Sequence, residues 1–263
     1  MPHIKTASGI NWFYEVKGEG RPLVFLHGWS FDSGIWSKQA DYFSEYKIVA
    51  LDLPGHGQSE YKEKINIAEE LNFIFGRLGL KNANLVGHSL GGLMALKLAV
   101  NRPDLVDKII LVSTNVRFVR SDDYAHALSP AEVERLQEFL KQGYLEILPV
   151  FMRWLFTEEE RSQADFRSNW DLIAKRKIWP KQEALSYFLS FIAEEDLRSE
   201  LNKINSQTLI VCGTNDPICP VGSAQYLGKN IKNSKVKLLS SCGHLPFLTE
   251  SKRFNGLAQE FLK

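Results

Sequence analysis

A serine inside a glycine-rich stretch is the residue of this sequence whose surroundings most clearly indicate chemistry. Residues 86–92 read Val-Gly-His-Ser-Leu-Gly-Gly and place Ser89 in a G-x-S-x-G pattern. A short apolar run, 83–86, precedes the pattern, and residues 93–100 follow it with an apolar face at helical spacing. A nucleophilic serine requires this context of strand, sharp turn and helix. The alternative is a glycine-rich turn with an incidental serine, but the flanking elements favour the nucleophile.

The glycines beside Ser89 fit such a turn. The turn forces the serine backbone into a strained conformation, and side chains at Gly87 and Gly91 would collide with the neighbouring strand and helix. The following helix directs free N–H groups and a partial positive charge at the serine. An oxyanion hole needs two such donors. We expect them to be the backbone N–H groups of Leu90 and of Trp29, which lies in the loop after the first buried strand.

A serine hydroxyl needs a base, and the base needs a group that holds its tautomer. The chain has six histidines: His3, His27, His56, His88, His126 and His244. Of these, only His244 lies in a Gly-His loop after the last predicted strand, so we predict that it is the base. Tight glycine loops surround His27 and His56, which favours structural hydrogen bonds there. The side chain of His88 is expected to point away from Ser89.

The acid of such a site should follow a strand at the same edge of the sheet. Asp216 meets this condition, although an acidic residue before proline is also typical of a simple turn. Asp122 and Asp123 are rivals, but they lie in a region without strand patterns. The order serine, acid, histidine along the chain is the order associated with this serine motif. We therefore predict a catalytic triad of Ser89, Asp216 and His244.

Strand and helix patterns alternate through the first part of the chain. Continuous apolar runs typical of buried strands occur at 22–26, 47–51, 85–86, 108–112, 207–212 and 236–239. Helical patterns occur at 32–45, 67–80, 145–156, 158–177, 181–191, 221–227 and 254–262. Such alternation predicts a mostly parallel sheet with right-handed crossovers and flanking helices. The predicted fold class is therefore α/β.

The strand pattern stops in the middle of the chain. We predict that residues 1–115 and 205–263 form the two parts of an α/β core and that 116–204 form an inserted helical cap. Pro149 is expected to kink one cap helix. The many aromatic residues of the insertion either form a helical core or line an apolar pocket, and the two roles are compatible. The predicted substrate contacts are Trp29, His88, Phe151, Trp154 and Leu245.

Composition and charge argue against several classes of protein. The chain has 263 residues, 44% apolar and 24% charged, and a net charge of +1, which does not favour a nucleic-acid binder. Cys212, Cys219 and Cys242 fit neither a zinc pattern nor a disulfide framework. The N-terminus lacks an apolar signal region, and no apolar run reaches membrane-spanning length. We expect a cytoplasmic monomer that has no membrane or nucleic-acid partner and needs no metal or organic cofactor.

Several motifs together resemble the α/β-hydrolase superfamily over nearly the whole chain. They are His27-Gly28, the run DLPGHGQS at 52–59, the turn at Ser89, the Gly213-x-x-Asp216 loop and Gly243-His244. Within the superfamily the chain is most similar to the pimeloyl-[acyl-carrier protein] methyl ester esterases of biotin synthesis. This similarity lies in His27-Gly28-Trp29, in Ser89-Leu90-Gly91-Gly92-Leu93 and in the segment 112–128. Those esterases often have tryptophan before the nucleophile, where this chain has His88.

The resemblance implies a particular substrate and partner. The substrate would be a methyl ester at the end of an acyl chain, carried on the phosphopantetheine arm of an acidic acyl-carrier protein. A basic cap surface would steer and dock that partner. The candidate docking residues are Arg117, Arg120, Arg153, Arg161 and Arg167, and Lys175, Arg176 and Lys177 are also available. Acidic residues are interleaved with them, so a solvated helical face is the alternative.

Three functions stay open on the sequence alone. The first is a serine carboxylesterase that acts on small-molecule esters through an acyl-enzyme. The second is a carbon–carbon bond hydrolase or lyase of the same fold, which Ser89 and His88 both allow. The third is a non-catalytic receptor that binds a ligand on the same fold. Dehalogenases and epoxide hydrolases are disfavoured, because they place an aspartate where this chain has Ser89.

Overall fold

A central sheet organises the computed structural model, which describes residues 2–176 and 178–263. Within those ranges its eight strands are β1 (His3–Lys5), β2 (Asn11–Lys17), β3 (Pro22–Leu26), β4 (Lys47–Leu51), β5 (Ala83–His88), β6 (Val106–Val112), β7 (Gln207–Gly213) and β8 (Ser234–Leu239). Their spatial order is β1-β2-β4-β3-β5-β6-β7-β8. The pairs β1–β2 and β2–β4 are antiparallel, and the other neighbours are parallel. The predicted mostly parallel sheet is confirmed.

The central strands are buried on both faces, as their continuous apolar sequences require. β5 is buried along its whole length, and β3 and β4 are buried after their first residues. β8 lies at the edge of the sheet and is mostly solvent-accessible. The carboxyl ends of parallel strands meet at one edge of a sheet. Ser89, Asp216 and His244, which follow β5, β7 and β8, therefore lie at the same edge.

Helices flank this sheet. Those in sequence with the strands are α1 (Ser37–Tyr42), α2 (Ile67–Arg77), α3 (Leu90–Asn101), α8 (Val221–Asn230), α9 (Pro246–Thr249) and α10 (Ser251–Leu262). Between β6 and β7 the chain forms α4 (Pro130–Trp154), α5 (Glu158–Ser162), α6 (Phe166–Ala174) and α7 (Gln182–Glu194). We call residues 116–204 the cap region. None of the helices in the described ranges is long and apolar enough to cross a membrane.

Two predicted helices are interrupted in the structure. The first part of the 32–45 segment is a 3₁₀ turn at Ser33–Trp36, and α1 ends before Phe43, whose ψ of 42° departs from helical values. The 158–177 segment breaks after α5, because Gln163 adopts an extended conformation with ψ of 149°. Helical periodicity alone did not reveal these breaks, since the apolar face continues across them.

Helix α4 breaks at Gly143, which the sequence did not indicate, and the predicted kink at Pro149 stays a prediction. Gly143 has a φ of 153°, a conformation that residues with a Cβ rarely adopt, and Pro149 lies within the helical stretch that follows. The start of α4 agrees with its sequence. Ser129 accepts the backbone N–H of Glu132, and the Glu132 carboxylate accepts the backbone N–H of Ser129.

The turn between β5 and α3 depends on backbone groups that lie almost in contact. A Cβ at Gly91 would lie 2.2 Å from the carbonyl oxygen of Leu26, and one at Gly87 would lie 2.5 Å from the Gly91 oxygen. A Cβ at Gly92 would meet the Thr114 hydroxyl at 1.9 Å. Side chains cannot occupy these distances. The expectation that Gly87 and Gly91 admit no side chain agrees with this geometry.

The same substitution at two glycines should therefore have opposite effects on stability. Gly91→Ala should lower the free energy of unfolding by about 1–3 kcal/mol, because its Cβ meets fixed backbone atoms. Gly76→Ala in α2 meets no atom within 4 Å and should raise it by about 0.5–1 kcal/mol through reduced chain entropy. Urea denaturation of both variants measures the difference. Equal effects of the two substitutions would contradict the close packing described for the turn.

Candidate active site

Ser89 occupies the sharp turn that joins β5 to α3. Its φ of 52° and ψ of −115° place it in a strained region of backbone space, and the residue is buried. Its N–H donates to the carbonyl of Val112 at 2.9 Å, and its own carbonyl accepts the N–H of Leu93 at 3.1 Å. These bonds tie the turn to β6 and to α3. The hydroxyl group is thus held at the carboxyl edge of the sheet, as the motif predicts.

His244 and Asp216 form a direct pair at the same edge. Nδ1 of His244 lies 2.8 Å from each carboxylate oxygen of Asp216, and both residues are buried. The backbone N–H groups of Ile218 and Cys219 donate to Oδ1 of Asp216, each at 2.9 Å. The carboxylate is therefore fixed from two sides. Because Nδ1 donates to Asp216, Nε2 is the nitrogen of His244 left to accept a proton.

Residues outside the pair hold the backbone of His244. Its N–H donates to the carbonyl of Leu155 in the cap region at 2.9 Å. Its carbonyl accepts the Nε2–H group of His88 at 3.0 Å. The two rings lie 4.7 Å apart, and burial lowers the pKa of His88 well below its ordinary value, with a further contribution from His244. His88 is thus a neutral hydrogen-bond donor to the His244 loop, a role that the sequence did not indicate.

His27 and His56 hold the loop that follows β3. The Nδ1–H group of His27 donates to the Gly28 carbonyl at 2.8 Å, and Nε2 accepts the N–H of Leu53 at 2.9 Å. Nε2 of His56 lies 3.4 Å from the N–H of Ser30. Burial lowers the pKa of His27 to about 3 and that of His56 well below its ordinary value. Both rings stay neutral and serve as structural links, as expected.

Two backbone N–H groups near Ser89 have no acceptor. Within residues 2–176 and 178–263, no hydrogen bond takes up the N–H of Trp29 or that of Leu90, the first residue of α3. Unpaired donors in a buried region carry a free-energy cost unless a ligand or water satisfies them. The two N–H groups predicted for the oxyanion hole are therefore available. The Trp29 indole is engaged separately, since its N–H donates to the Leu185 carbonyl at 2.9 Å.

Ser89 and His244 line one small apolar cavity of about 30 Å³, which is room for roughly one water molecule. Three of the predicted substrate contacts, Trp29, His88 and Phe151, also line it. The other lining residues are Phe31, Phe118, Leu128, Leu136, Leu155, Leu189, Ile192 and Ile218. Most of these residues lie in or near the cap region. Helical spacing predicted a buried face there, but it could not show which part of the chain that face contacts. Residues 116–204 thus supply most of the side chains that line this cavity.

Trp154 and Leu245 lie elsewhere than predicted. The Trp154 side chain is 46% exposed and lines a neighbouring surface groove of about 260 Å³, which shares Leu128, Leu136 and Phe151 with the cavity. Leu245 is fully buried next to His244 but does not line the cavity. Neither side chain is in contact with the space beside Ser89 in this closed arrangement.

Among the described residues, neither of the two rival acids, Asp122 and Asp123, bonds to His244. Asp123 forms an ion pair with Arg198 at 2.8 Å, and Asp122 is exposed. Arg198 and Arg117 also hold Asp196. Partial burial raises the pKa of Asp196, but hydrogen bonds from the two arginines outweigh it and lower the pKa to about 2. This network fastens both ends of the cap region to each other.

The predicted docking arginines differ in their surroundings. Arg117 is half-buried in the pair with Asp196, and Arg161 donates to the Phe156 carbonyl at 2.7 Å. Arg120, Arg153 and Arg167 are exposed, and the Arg153 guanidinium lies 5.5 Å from the centre of the Phe166 ring.

The other basic residues named from the sequence are less available. Lys175 pairs with Asp171 at 2.7 Å, and Arg176 donates to the Ser30 carbonyl, 4.8 Å from the centre of the Trp179 ring. Lys177 lies outside the described residues.

One set of side chains in the described ranges could hold a metal ion. Donor atoms of Asp216, Cys219 and His244 lie within 4.8 Å of one another, and the three residues are buried. Burial raises the pKa of the Cys219 thiol, with a further contribution from Asp216, and this opposes the thiolate that a metal needs. The Asp216 and His244 donors already bond to each other. The set therefore fits a carboxylate–histidine pair beside a protonated thiol better than a metal site.

The comparisons with known proteins agree with this fold. Residues 21–251 match the alpha/beta hydrolase fold family, and the chain belongs to that family. It is therefore a hydrolase. An esterase from Exiguobacterium antarcticum of known structure superposes with a TM-score of 0.89 at 27% identity and covers 99% of both chains.

Two curated relatives match almost the whole chain. A pimeloyl-[acyl-carrier protein] methyl ester esterase from Nitrosomonas europaea is 30% identical over 241 residues, which are 91% of this chain and 95% of that protein. The AB hydrolase superfamily protein YisY from Bacillus subtilis is 31% identical over 269 residues and covers 98% of both chains. This chain thus resembles proteins described as esterases in both its sequence and its fold.

The buried neutral histidines predict how stability depends on pH. The unfolded chain takes up protons below about pH 6.5, whereas His27, His56 and His88 stay neutral in the folded state. The free energy of unfolding should therefore fall as pH decreases from about 6.5 towards 5, by up to about 1.4 kcal/mol per pH unit for each histidine. Urea denaturation at a series of pH values measures this slope.

A matched pair of variants assigns the slope to the buried rings. His56→Asn should make it shallower, and His126→Asn at an exposed position should leave it unchanged. A free energy of unfolding that stays constant from pH 7 to pH 5 would contradict the neutral histidines.

Proposed function

We propose that this chain hydrolyses carboxylic esters with Ser89 as nucleophile, His244 as base and Asp216 as the group that orients His244. The observation that supports this most is the buried hydrogen bond of 2.8 Å between His244 and Asp216, in a cavity wall that His244 shares with Ser89. The strained backbone of Ser89 and the two unpaired N–H groups complete the set of parts that acyl transfer requires.

The proposed reaction has two half-reactions. Nε2 of His244 takes the Ser89 proton as Oγ attacks the ester carbonyl, and the N–H groups of Trp29 and Leu90 bind the resulting oxyanion. Protonated His244 gives the proton to the departing alcohol, which leaves an acyl-enzyme. His244 then activates a water molecule that hydrolyses the acyl group and restores Ser89. Asp216 stabilises the charged imidazole in both half-reactions, and no metal or organic cofactor is needed.

We propose further that the substrate is the methyl ester of a pimeloyl chain on an acyl-carrier protein. The support is the name carried by curated relatives that span most of this chain, together with the apolar side chains that line the space beside Ser89. Arg153 and Arg167 are the proposed docking residues for the acidic carrier. Arg153 contacts Phe166, the neighbour of Arg167 in sequence, and both arginines are exposed. Residues 116–204 would act as the cap that covers the acyl chain.

Removal of the proposed nucleophile should abolish hydrolysis. Ser89→Ala should lower kcat on a p-nitrophenyl ester by at least about 10³-fold, and Asp216→Asn by about 10³–10⁴-fold, because each step needs the intact triad. Ser199→Ala, at an exposed serine, is the matched control and should leave kcat unchanged. Steady-state kinetics on purified protein measures all three. If Ser89→Ala hydrolysed esters at the rate of the unaltered chain, the mechanism would be wrong.

The carrier-protein proposal predicts a charge effect that depends on the substrate. Arg153→Glu combined with Arg167→Glu should lower kcat/KM for pimeloyl-carrier-protein methyl ester by about 10-fold or more, and more strongly at low salt. The same variant should hydrolyse free methyl pimelate normally, because its cavity is intact.

Lys229→Glu combined with Lys232→Glu, at two exposed positions outside the cap region, introduces the same change in net charge and is the control. Equal losses in both variants, or an equal loss on the free ester, would refute docking through these arginines. Faster turnover of a vinylogous diketone than of any ester would favour the carbon–carbon hydrolase, and ligand binding without turnover would favour the receptor.

A further inference from the structure

The cap region is bonded directly to the loop that carries His244. The small cavity beside Ser89 is lined by residues of the cap region together with Ser89 and His244. The contacts between this region and the loop 241–244 therefore bear on the position of the proposed base. They come from the junction of α4 and α5, where the Leu155 carbonyl accepts the N–H of His244 at 2.9 Å.

Glu160, in α5, makes the other strong contact to this loop. Its Oε1 atom accepts the backbone N–H of Gly243 at 3.1 Å and the thiol of Cys242 at 3.2 Å. Its Oε2 atom accepts the backbone N–H of Thr157 at 2.8 Å, and the Thr157 hydroxyl accepts the N–H of Glu160 at 3.0 Å. One carboxylate thus bonds both to the first turn of a cap helix and to the residue before His244.

Glu160 is buried, so its carboxylate depends on these hydrogen bonds in place of water. Its side chain is a carboxylate in a residue only 4% exposed, and a buried charge is tolerated only where hydrogen bonds compensate it. The loop fits closely around it, since a Cβ at Gly243 would lie 2.8 Å from Oε2 and 2.5 Å from the Leu155 oxygen. A capping glutamate on a surface helix needs neither burial nor a partner in another loop. This one has both.

We propose that Glu160 is a positioning residue that places His244 against Asp216 and Ser89 when the cap region is closed. Its bond to Gly243 sets the path of the backbone that enters His244, and the bonds from Leu155 and His88 set the N–H and carbonyl of His244 itself. Because Glu160 and Leu155 both belong to the cap region, opening of that region withdraws two of these three supports. The base is then fully positioned only over an enclosed substrate. The inference rests on the proposed function of His244.

Glu132 is a matched control for the capping role of Glu160. It forms the same type of capping box with Ser129 at the start of α4, but it is exposed, and in the part of the chain that the structure describes it has no hydrogen bond to the His244 loop. Glu132→Ala and Glu160→Ala therefore both remove a helix cap from the cap region. Only Glu160→Ala also removes the acceptor for the Gly243 N–H.

The test compares Glu160→Ala, Glu160→Gln and Glu132→Ala in the full chain. Glu160→Ala should lower kcat on a p-nitrophenyl ester by about 10- to 100-fold with KM changed by less than about 2-fold, since a small displacement of a catalytic group has effects of that size. Glu160→Gln keeps one carbonyl oxygen for the Gly243 N–H and should recover part of kcat. Glu132→Ala should leave kcat and KM unchanged.

A spectroscopic readout separates positioning from a structural role. The proton between His244 Nδ1 and Asp216 should give a downfield ¹H NMR signal, assigned by its loss in His244→Gln. In Glu160→Ala this signal should broaden or disappear, and in Glu132→Ala it should stay. If Glu160→Ala and Glu132→Ala lose kcat equally and both keep the signal, Glu160 is only a helix cap and the proposal fails.

Failure of the Glu160 proposal can be told apart from failure of the proposed triad mechanism. Full activity of Ser89→Ala would refute the triad mechanism, whereas the NMR signal reports the position of His244 whether or not an ester is hydrolysed. If Glu160→Ala does not fold, Glu160→Met decides the question, because methionine has a similar length but offers no oxygen to the Gly243 N–H. Unchanged kcat together with an unchanged signal in Glu160→Met would then overturn the proposal.

Discussion

The close approach of backbones at the turn between β5 and α3 is the constraint on which the rest of the site depends. Gly91 lies so near the Leu26 carbonyl that a single Cβ would meet it at 2.2 Å. This contact brings the start of α3, with Leu90 directly after Ser89, against the end of β3, which the loop with Trp29 follows. The strain in the Ser89 backbone is compensated by the packing of the buried strands around it.

Three buried, neutral histidines hold the loops around the Ser89 turn in place. His27 and His56 hold the loop after β3 through hydrogen bonds of both ring nitrogens. His88 holds the loop after β8 through Nε2 alone. A neutral imidazole offers one donor and one acceptor in a rigid ring, which suits the crossing of two tight loops. The cost is a sensitivity to acid, since protonation of any of these rings requires a charge in the core.

Hydrogen bonds connect the cap region to the loop that carries the proposed base. His244 has its N–H, its carbonyl and its ring nitrogen bonded to three different parts of the chain: the cap region, β5 and the loop after β7. Glu160 adds a buried carboxylate to the cap side of this arrangement. A site assembled from several elements gains its catalytic geometry only when those elements are together. The proposed esterase would thus combine a rigid serine with a base whose support depends on closure.

The sequence by itself determined the α/β fold and the order of the candidate triad, because strand periodicity and glycine positions are local properties. The residues Ser89, Asp216 and His244 could be named from motifs that each span a few positions. Contacts between distant segments were decided only by the tertiary structure. The capping motif at Thr157–Glu160 is visible in the sequence, but its bond to Gly243 joins residues 83 positions apart. Likewise, helical spacing placed Phe151 and Trp154 on α4, and only the packing of α4 against its neighbouring helices decided that Phe151 lines the cavity and Trp154 does not.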